Sequence, residues 1–266
     1  MASIDPVRKA WLAQHAAGER ELLRVVDGFF REQEKRIAKA LKDFDEPTPS
    51  IVPLIFQPDD EHTKFITAIS DPLAALMAQG AVDELDRKPT PKTEKGLFEV
   101  FQNFSLSQFI KDAIGAAFDE LIGQDYWRQI QTTTSEVLTD VLKQGIEEGQ
   151  SGSRLTRWLR NILGETQRVR AKAIARTETT AAYNSGHQSV MTTLAGDTTF
   201  EGKRWLAILD NDVRASHESL NGVVVPGDGN FNVGGSSAPY PGHPSLPASQ
   251  RINCRCVIVS TFTDLP

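Results

Sequence analysis

Residues 200–209 read FEGKRWLAIL, and residues 255–263 read RCVIVSTFT. Both runs are rich in β-branched and aromatic residues and too short for typical helices, which predicts two strands. Almost everything before Thr198 carries apolar residues at helical spacing instead. This change of texture decides the expected fold class, α+β: a mainly helical N-terminal region followed by a small C-terminal mixed α/β module. The segment between the two strands is dense in glycine and proline, and short of the apolar residues that would let it hold its own shape. The expected division is a helical region over 1–149, with linkers near 45–60 and 86–96, and a module over 150–266.

Within the helical region, Pro6 follows Asp5 as at a normal helix start. Trp11, Leu22, Leu23, Val26, Phe29, Phe30, Ile37 and Leu41 then recur at helical spacing. Gly18 and Gly28 interrupt that run, so two helices and one kinked helix both fit. DEPTPSIVPLIFQPDDE, residues 45–61, has four prolines and no periodicity, which reads as a linker, though its IVPLIF centre suits a segment lying across a neighbouring surface. Further helices are expected over 61–80, over 106–123 and from 125 to a stop at Gly149. A short helix from Ser153 to Leu163 and a long one from Thr166 to Leu194 complete the series.

The chain has 266 residues, 39% hydrophobic and 24% charged, enough for one large or two ordinary domains. A net charge of −6 argues against a globally basic nucleic-acid coat. Two cysteines make no disulfide framework and suggest a reducing compartment. No run of eighteen apolar residues predicts a membrane span, and the charged N-terminus lacks the apolar stretch of a signal peptide. The expectation is a protein made and used in a cytoplasm.

Three constellations could carry chemistry. Arg154, Arg157, Arg160, Arg168, Arg170 and Lys172 form a local basic patch, opposed between 154 and 176 by Glu165 alone. A solvated helix face, contact with nucleic-acid phosphates and an acidic protein partner all fit it. Arg176 and Glu178 are two apart and cannot face each other on a helix, so each is expected to bond to a different element. With Trp205, Asp210, Arg214 and Asn253 they make a candidate structural network. Finally, Cys254 and Cys256 are the only cysteines. As i and i+2 in a strand they share a face yet sit about 6.5–7 Å apart, a poor disulfide and a good start for a shared ligand. His217 and His243 could complete a tetrahedral Cys2His2 structural zinc site, although the spacing is that of no standard finger. The alternatives are two reduced, half-buried thiols with two histidines bonded to backbone, and redox or nucleophilic cysteine chemistry.

Taken in order, IARTETTAAYNSG (174–186), KRWLAILDNDVRASHESLNGVVV (203–225), GHP (242–244) and INCRCVIV (252–259) resemble the signature of the phage Mu F-like minor head proteins, also called phage head morphogenesis proteins. The ordered set runs from Ala175 to Val259, and the N-terminal half carries none of it. The resemblance implies a structural virion protein without catalytic residues, present in low copy. Its expected partners are the phage portal protein and the major capsid or scaffold protein, with DNA a further candidate. Its expected place is the capsid interior or portal vertex, after assembly in the host cytoplasm. The alternative is a metal-dependent nuclease- or transferase-like enzyme using Glu178, Asp210, Asp212 and His217, since two carboxylates just after a strand suit a metal-binding edge.

Overall fold

The computed structural model describes residues 6–44, 48–85, 87, 104–149, 152–194 and 199–263. Among the described residues, six helices come first: α1 (Pro6–Ala40), a single turn α2 (Val52–Ile55), α3 (Pro58–Leu85), α4 (Phe104–Ile122), α5 (Tyr126–Glu147) and α6 (Gly152–Thr193). The small elements follow: β1 (Phe200–Leu206), α7 (Ala215–Glu218), β2 (Val224–Val225), β3 (Phe231–Val233), β4 (Ser236–Ala238), α8 (Ala248–Arg251) and β5 (Val257–Phe262). The expected α+β class, helices first and a small sheet module last, is what the chain adopts.

Several boundaries differ from the sequence reading. α1 is one continuous helix through Gly18 and Gly28. The helices expected over 153–163 and 166–194 are one, α6, because Leu155, Leu159, Leu163, Ala171 and Ala175 keep a single buried face across Gly164. The described part of the linker expected over 45–60, from residue 48 on, is not free chain. Residues 49–55 form a 3-10 turn and α2, and they bury Ile51, Val52 and, just beyond, Phe56. The second linker, 86–96, lies outside the described residues apart from Arg87. At the expected stop, Gly149 takes a left-handed φ of 64° and donates to the Ile146 carbonyl at 2.9 Å, closing α5.

The chain divides into two compact units that do not follow chain order. One comprises residues 21–71 and 122–175. It is all helical, with a core of Ile37, Leu41, Ile51, Val52, Phe56, Leu138, Leu142, Leu155, Leu159 and Leu163. Phe29, Phe30, Phe65 and Trp127 form an aromatic cluster within it. A buried polar knot crosses this unit: Gln33 donates to Glu61 at 2.9 Å and Gln131 at 2.7 Å, and accepts from Gln167 at 3.1 Å.

The other unit comprises residues 1–20, 72–121 and 176–266. Its sheet is antiparallel with strand order β2-β1-β5, Trp205 opposite Ile258 and Lys203 opposite Ser260. β3 and β4 form a hairpin closed by Gly234 and Gly235, both at positive φ as the tight turn requires. Trp205, Phe231, Val233, Leu246, Ile258, Cys254 and Cys256 share one core there. In α3, the residues that make it long and apolar enough to cross a membrane by composition include Leu73, Met77 and Ala81, which are buried in this unit.

α3 and α6 touch backbone to backbone in this unit. A Cβ on Gly186 would overlap the Met77 carbonyl, and one on Gly80 would overlap the Tyr183 carbonyl. Gly28 faces open space. Gly186→Ala is therefore expected to destabilise by about 1–3 kcal/mol or more, as overpacking does, because backbone cannot rotate away. Gly28→Ala is expected to stabilise by up to about 1 kcal/mol through helix propensity. Thermal melts of the two variants check this, and equal effects would refute the close crossing.

Candidate metal centre and its scaffold

The last third of α6 is a polar template for the C-terminal segment. Thr177, Thr180 and Asn184 lie on one helical face at i, i+3 and i+7. Asn253 N–H donates to Thr177 Oγ1 at 3.0 Å, and Thr180 Oγ1 donates to the Cys254 carbonyl. Asn184 Nδ2 donates to the Cys256 carbonyl at 3.0 Å, and its Oδ1 accepts from Ile258 N–H at 2.9 Å. Asn253 is the one non-glycine residue at positive φ among the described residues, at 60°. Asparagine tolerates that conformation, and here it turns the chain so that Cys254 and Cys256 enter the core.

Both cysteines are free thiols, and both lie in the chain just ahead of β5, which corrects their expected placement within a strand. They converge on His217, which α7 delivers from 37 positions upstream of Cys254. His217 Nδ1 lies 3.5 Å from each sulfur. The three residues are 1–3% exposed, and their donor atoms all lie within 4.8 Å of one another. On the far side of the ring, His217 Nε2 meets Gln250 Oε1 at 3.1 Å, and Ser216 Oγ donates to the same oxygen at 2.8 Å. An amide oxygen accepts, so Nε2 carries the ring proton and Nδ1 presents its lone pair to the sulfurs.

The hydrogen bond from Cys256 holds Cys254 well below the usual thiol range. This outweighs burial. The same bond, together with burial, pushes Cys256 well above that range. Cys256 N–H points at Cys254 Sγ from 3.4 Å. The buried Trp205 Nε1–H has no nitrogen or oxygen acceptor among the described residues, and it favours the charged form of Cys256.

His243, expected as the fourth ligand, is not in this cluster. Its Nδ1 is taken by Ser245 Oγ at 2.7 Å, and its Nε2 faces Glu120 Oε1 at 3.4 Å. The proline-flanked turn that carries it packs against α4 and holds it there. The Cys2His2 set is corrected to Cys2His.

The remaining expected residues fall in separate places. Asp210 Oδ2 pairs with Arg255 Nη2 at 2.5 Å, and Asp212 is exposed. Arg214 donates to the Ile252 carbonyl at 2.5 Å. Arg176 pairs with Glu19 at 3.1 Å, and Glu178 is buried 3.8 Å from Arg251. Of the basic patch, Arg154, Arg157, Arg168 and Lys172 are exposed along one stripe of α6, with Glu165 among them. Arg160 pairs with Glu34 at 3.0 Å. Arg170 turns inward, donating to Thr134 Oγ1 at 3.0 Å and to the Ile130 carbonyl, with its guanidinium over Phe30. Arg170 is therefore a clamp within its unit, a correction to its place in the basic patch.

Sequence reasoning missed the residues that complete the scaffold. Gln250, which orients His217, lies four residues before Cys254 but carries no periodic signal. Lys203 lies in β1 with no exposed surface, bonded to Gln188 Oε1 at 2.6 Å, and burial lowers its pKa to about 8. His15 Nε2 meets Thr180 Oγ1 at 2.8 Å, and burial, with Arg176 and Arg255 adding, lowers its pKa to about 4. It is neutral at pH 7, so its approach to Glu19 is no ion pair.

A strand pair, a latch helix and a buried thiol–imidazole cluster define a small structural module. Residues 136–259 match the family model described as Phage Mu protein F like protein, so this part of the chain is Mu F-like. It is 32% identical over 134 residues to the uncharacterized protein YqbB of Bacillus subtilis, covering 48% of this chain and 42% of that one. The NAD(+)--arginine ADP-ribosyltransferase EFV of Enterococcus faecalis is 33% identical over 135 residues, 48% of this chain and 25% of its own. The minor head protein GP7 of Bacillus phage SPP1 is 28% identical over 119 residues, 44% of this chain and 38% of its own. The matches thus span less than half of each relative. No solved structure gives a significant match.

Proposed function

We propose that this chain is a minor head protein of a phage or prophage, a non-catalytic part that joins the portal or inner capsid during procapsid assembly. The observation that carries the reading is the Mu F-like match, which begins within α5, covers all of α6 and ends within β5. The relative named as a minor head protein supports it. The buried, mutually bonded state of the polar residues in that module suits a rigid building part. Exposed Arg154, Arg157, Arg168 and Lys172 offer a stripe for DNA phosphates or an acidic protein surface.

The enzyme reading has less support. Glu178 faces Arg251 and does not line the cleft that Asp210, Asp212 and His217 share, and in that cleft Asp210 is held by Arg255. The relative named as an ADP-ribosyltransferase matches over only a quarter of its own length.

The test is co-expression with the portal, scaffold and capsid proteins of the same genome. The protein is expected in purified procapsids, and to co-purify with the portal when the capsid protein is left out. Its absence from particles and precursors would overturn the assignment. In the same preparations, changing the four exposed cations to serine is expected to leave incorporation intact and to abolish any salt-sensitive retention of duplex DNA.

A further inference from the structure

We propose that His217 Nδ1, Cys254 Sγ and Cys256 Sγ bind one zinc ion, with a water in the fourth position. The argument is geometric. Zinc bonds of about 2.3 Å to sulfur and 2.0–2.1 Å to nitrogen, at tetrahedral angles, put each sulfur about 3.6 Å from the ligating nitrogen. Both sulfurs lie 3.5 Å from Nδ1. A hydrogen bond explains one such distance, because a single lone pair accepts one S–H. It does not explain two equal ones.

The groups around the cluster are arranged as they are around a metal. Gln250 holds the distal ring N–H, which aims the Nδ1 lone pair inward, the usual support for a ligating imidazole. The Cys256 amide directs its N–H toward Cys254 Sγ, an arrangement that suits a thiolate. Two thiolates in a buried core are costly alone, and a dication cancels their charge. Soft sulfur with one imidazole selects zinc over magnesium or calcium.

Beside the three residues is a cleft of about 20 Å³, edged by Asp210, Asp212 and Asn253. That is room for one water. The acids are poorly placed as protein ligands, since Asp210 is committed to Arg255. The ion would tie α7 to the chain ahead of β5, and so close the glycine- and proline-rich segment between them. That is a structural task and does not depend on the assembly role.

The experiment uses the full chain, expressed with zinc, purified reduced and without a histidine tag. Elemental analysis is expected to give about one equivalent of zinc. The metal-stripped protein titrated with cobalt(II) is expected to develop tetrahedral d–d bands together with a thiolate-to-cobalt charge-transfer band. Cys254→Ser and Cys256→Ser are expected to lose that band, and His243→Ala to keep it. Should the cysteine variants fail to fold, the wild-type spectrum decides alone, because the charge-transfer band requires thiolate ligands. Absence of that band in the wild type, or its loss in His243→Ala, would overturn the assignment.

Discussion

Trp11→Ala is expected to lower the unfolding free energy of its unit by about 3–5 kcal/mol, the usual range for deleting a buried tryptophan. Trp11 has no exposed surface, and its Nε1–H donates to the Arg255 carbonyl at 2.7 Å, between the two cysteines. The indole edge also meets His15 and Tyr183 at centroid distances of 5.2 and 5.4 Å. Truncation opens a cavity and leaves a buried carbonyl without its donor. One turn earlier, Arg8 repeats the connection, donating to the Ala207 carbonyl at 3.0 Å and to Asn221 Oδ1 at 2.6 Å. The first turns of α1 are therefore part of the C-terminal module's fold. Trp11→Phe keeps most of the packing and should cost less, near the roughly 1 kcal/mol of the lost hydrogen bond plus the smaller ring. Urea unfolding followed by circular dichroism checks the series. A change below about 1 kcal/mol for Trp11→Ala would mean that the module holds itself without the N-terminal segment.

Glu84→Ala is expected to cost a similar amount, about 3–5 kcal/mol, because it breaks a buried charged network from one side. Glu84 has no exposed surface; its Oε2 meets His187 Nδ1 at 2.8 Å and its Oε1 accepts from Ser260 N–H at 3.1 Å and from the Ser260 hydroxyl. It joins α3, α6 and β5 at one point. Burial by itself would raise its pKa, but the bond and charge of His187, the charge of Arg87 and the bond from Ser260 together hold it below the ordinary 4.5. The folded state thus favours the charged carboxylate. Its contribution is complete above the unfolded value of 4.5 and fades as pH falls through the lower folded value. The stability gap between wild type and Glu84→Ala should stay level from neutral pH to about 4.5 and shrink below it. A gap that widens on acidification would show that burial dominates and that the carboxyl is held neutral.

The helices were legible because their apolar residues recur locally. Trp11, Leu22, Val26, Phe30 and Ile37 are all buried on α1, as their spacing requires. The two strand-like runs became β1 and β5 for the same reason, since a short β-branched run has little else to do. The break expected between Leu163 and Thr166 was misread, and the alternatives left open at Gly18 and Gly28 resolve to one helix, because propensity is weak against the packing of a continuous buried face. Residues 45–61 read as linker because four prolines, one of them inside IVPLIF, mask Ile51, Val52 and Phe56, which are buried as that apolar centre suggested.

The candidate centre was half legible. Two cysteines separated by one residue must act together wherever they sit, and a histidine partner followed from the shortage of other donors. Choosing His217 over His243 was beyond the sequence, as was the inward turn of Arg170.

By itself, then, the sequence determined which segments are helices and strands and that Cys254 and Cys256 share a site. Those properties arise from backbone periodicity and from neighbours a few residues apart. Only the tertiary structure decided that Trp11 and Arg8 brace the module, that Glu84 meets His187 and Ser260, and that His217 completes the sulfur pair. Each of these joins residues tens to hundreds of positions apart, and such pairings depend on how helices cross and chains turn in space, which no local pattern encodes.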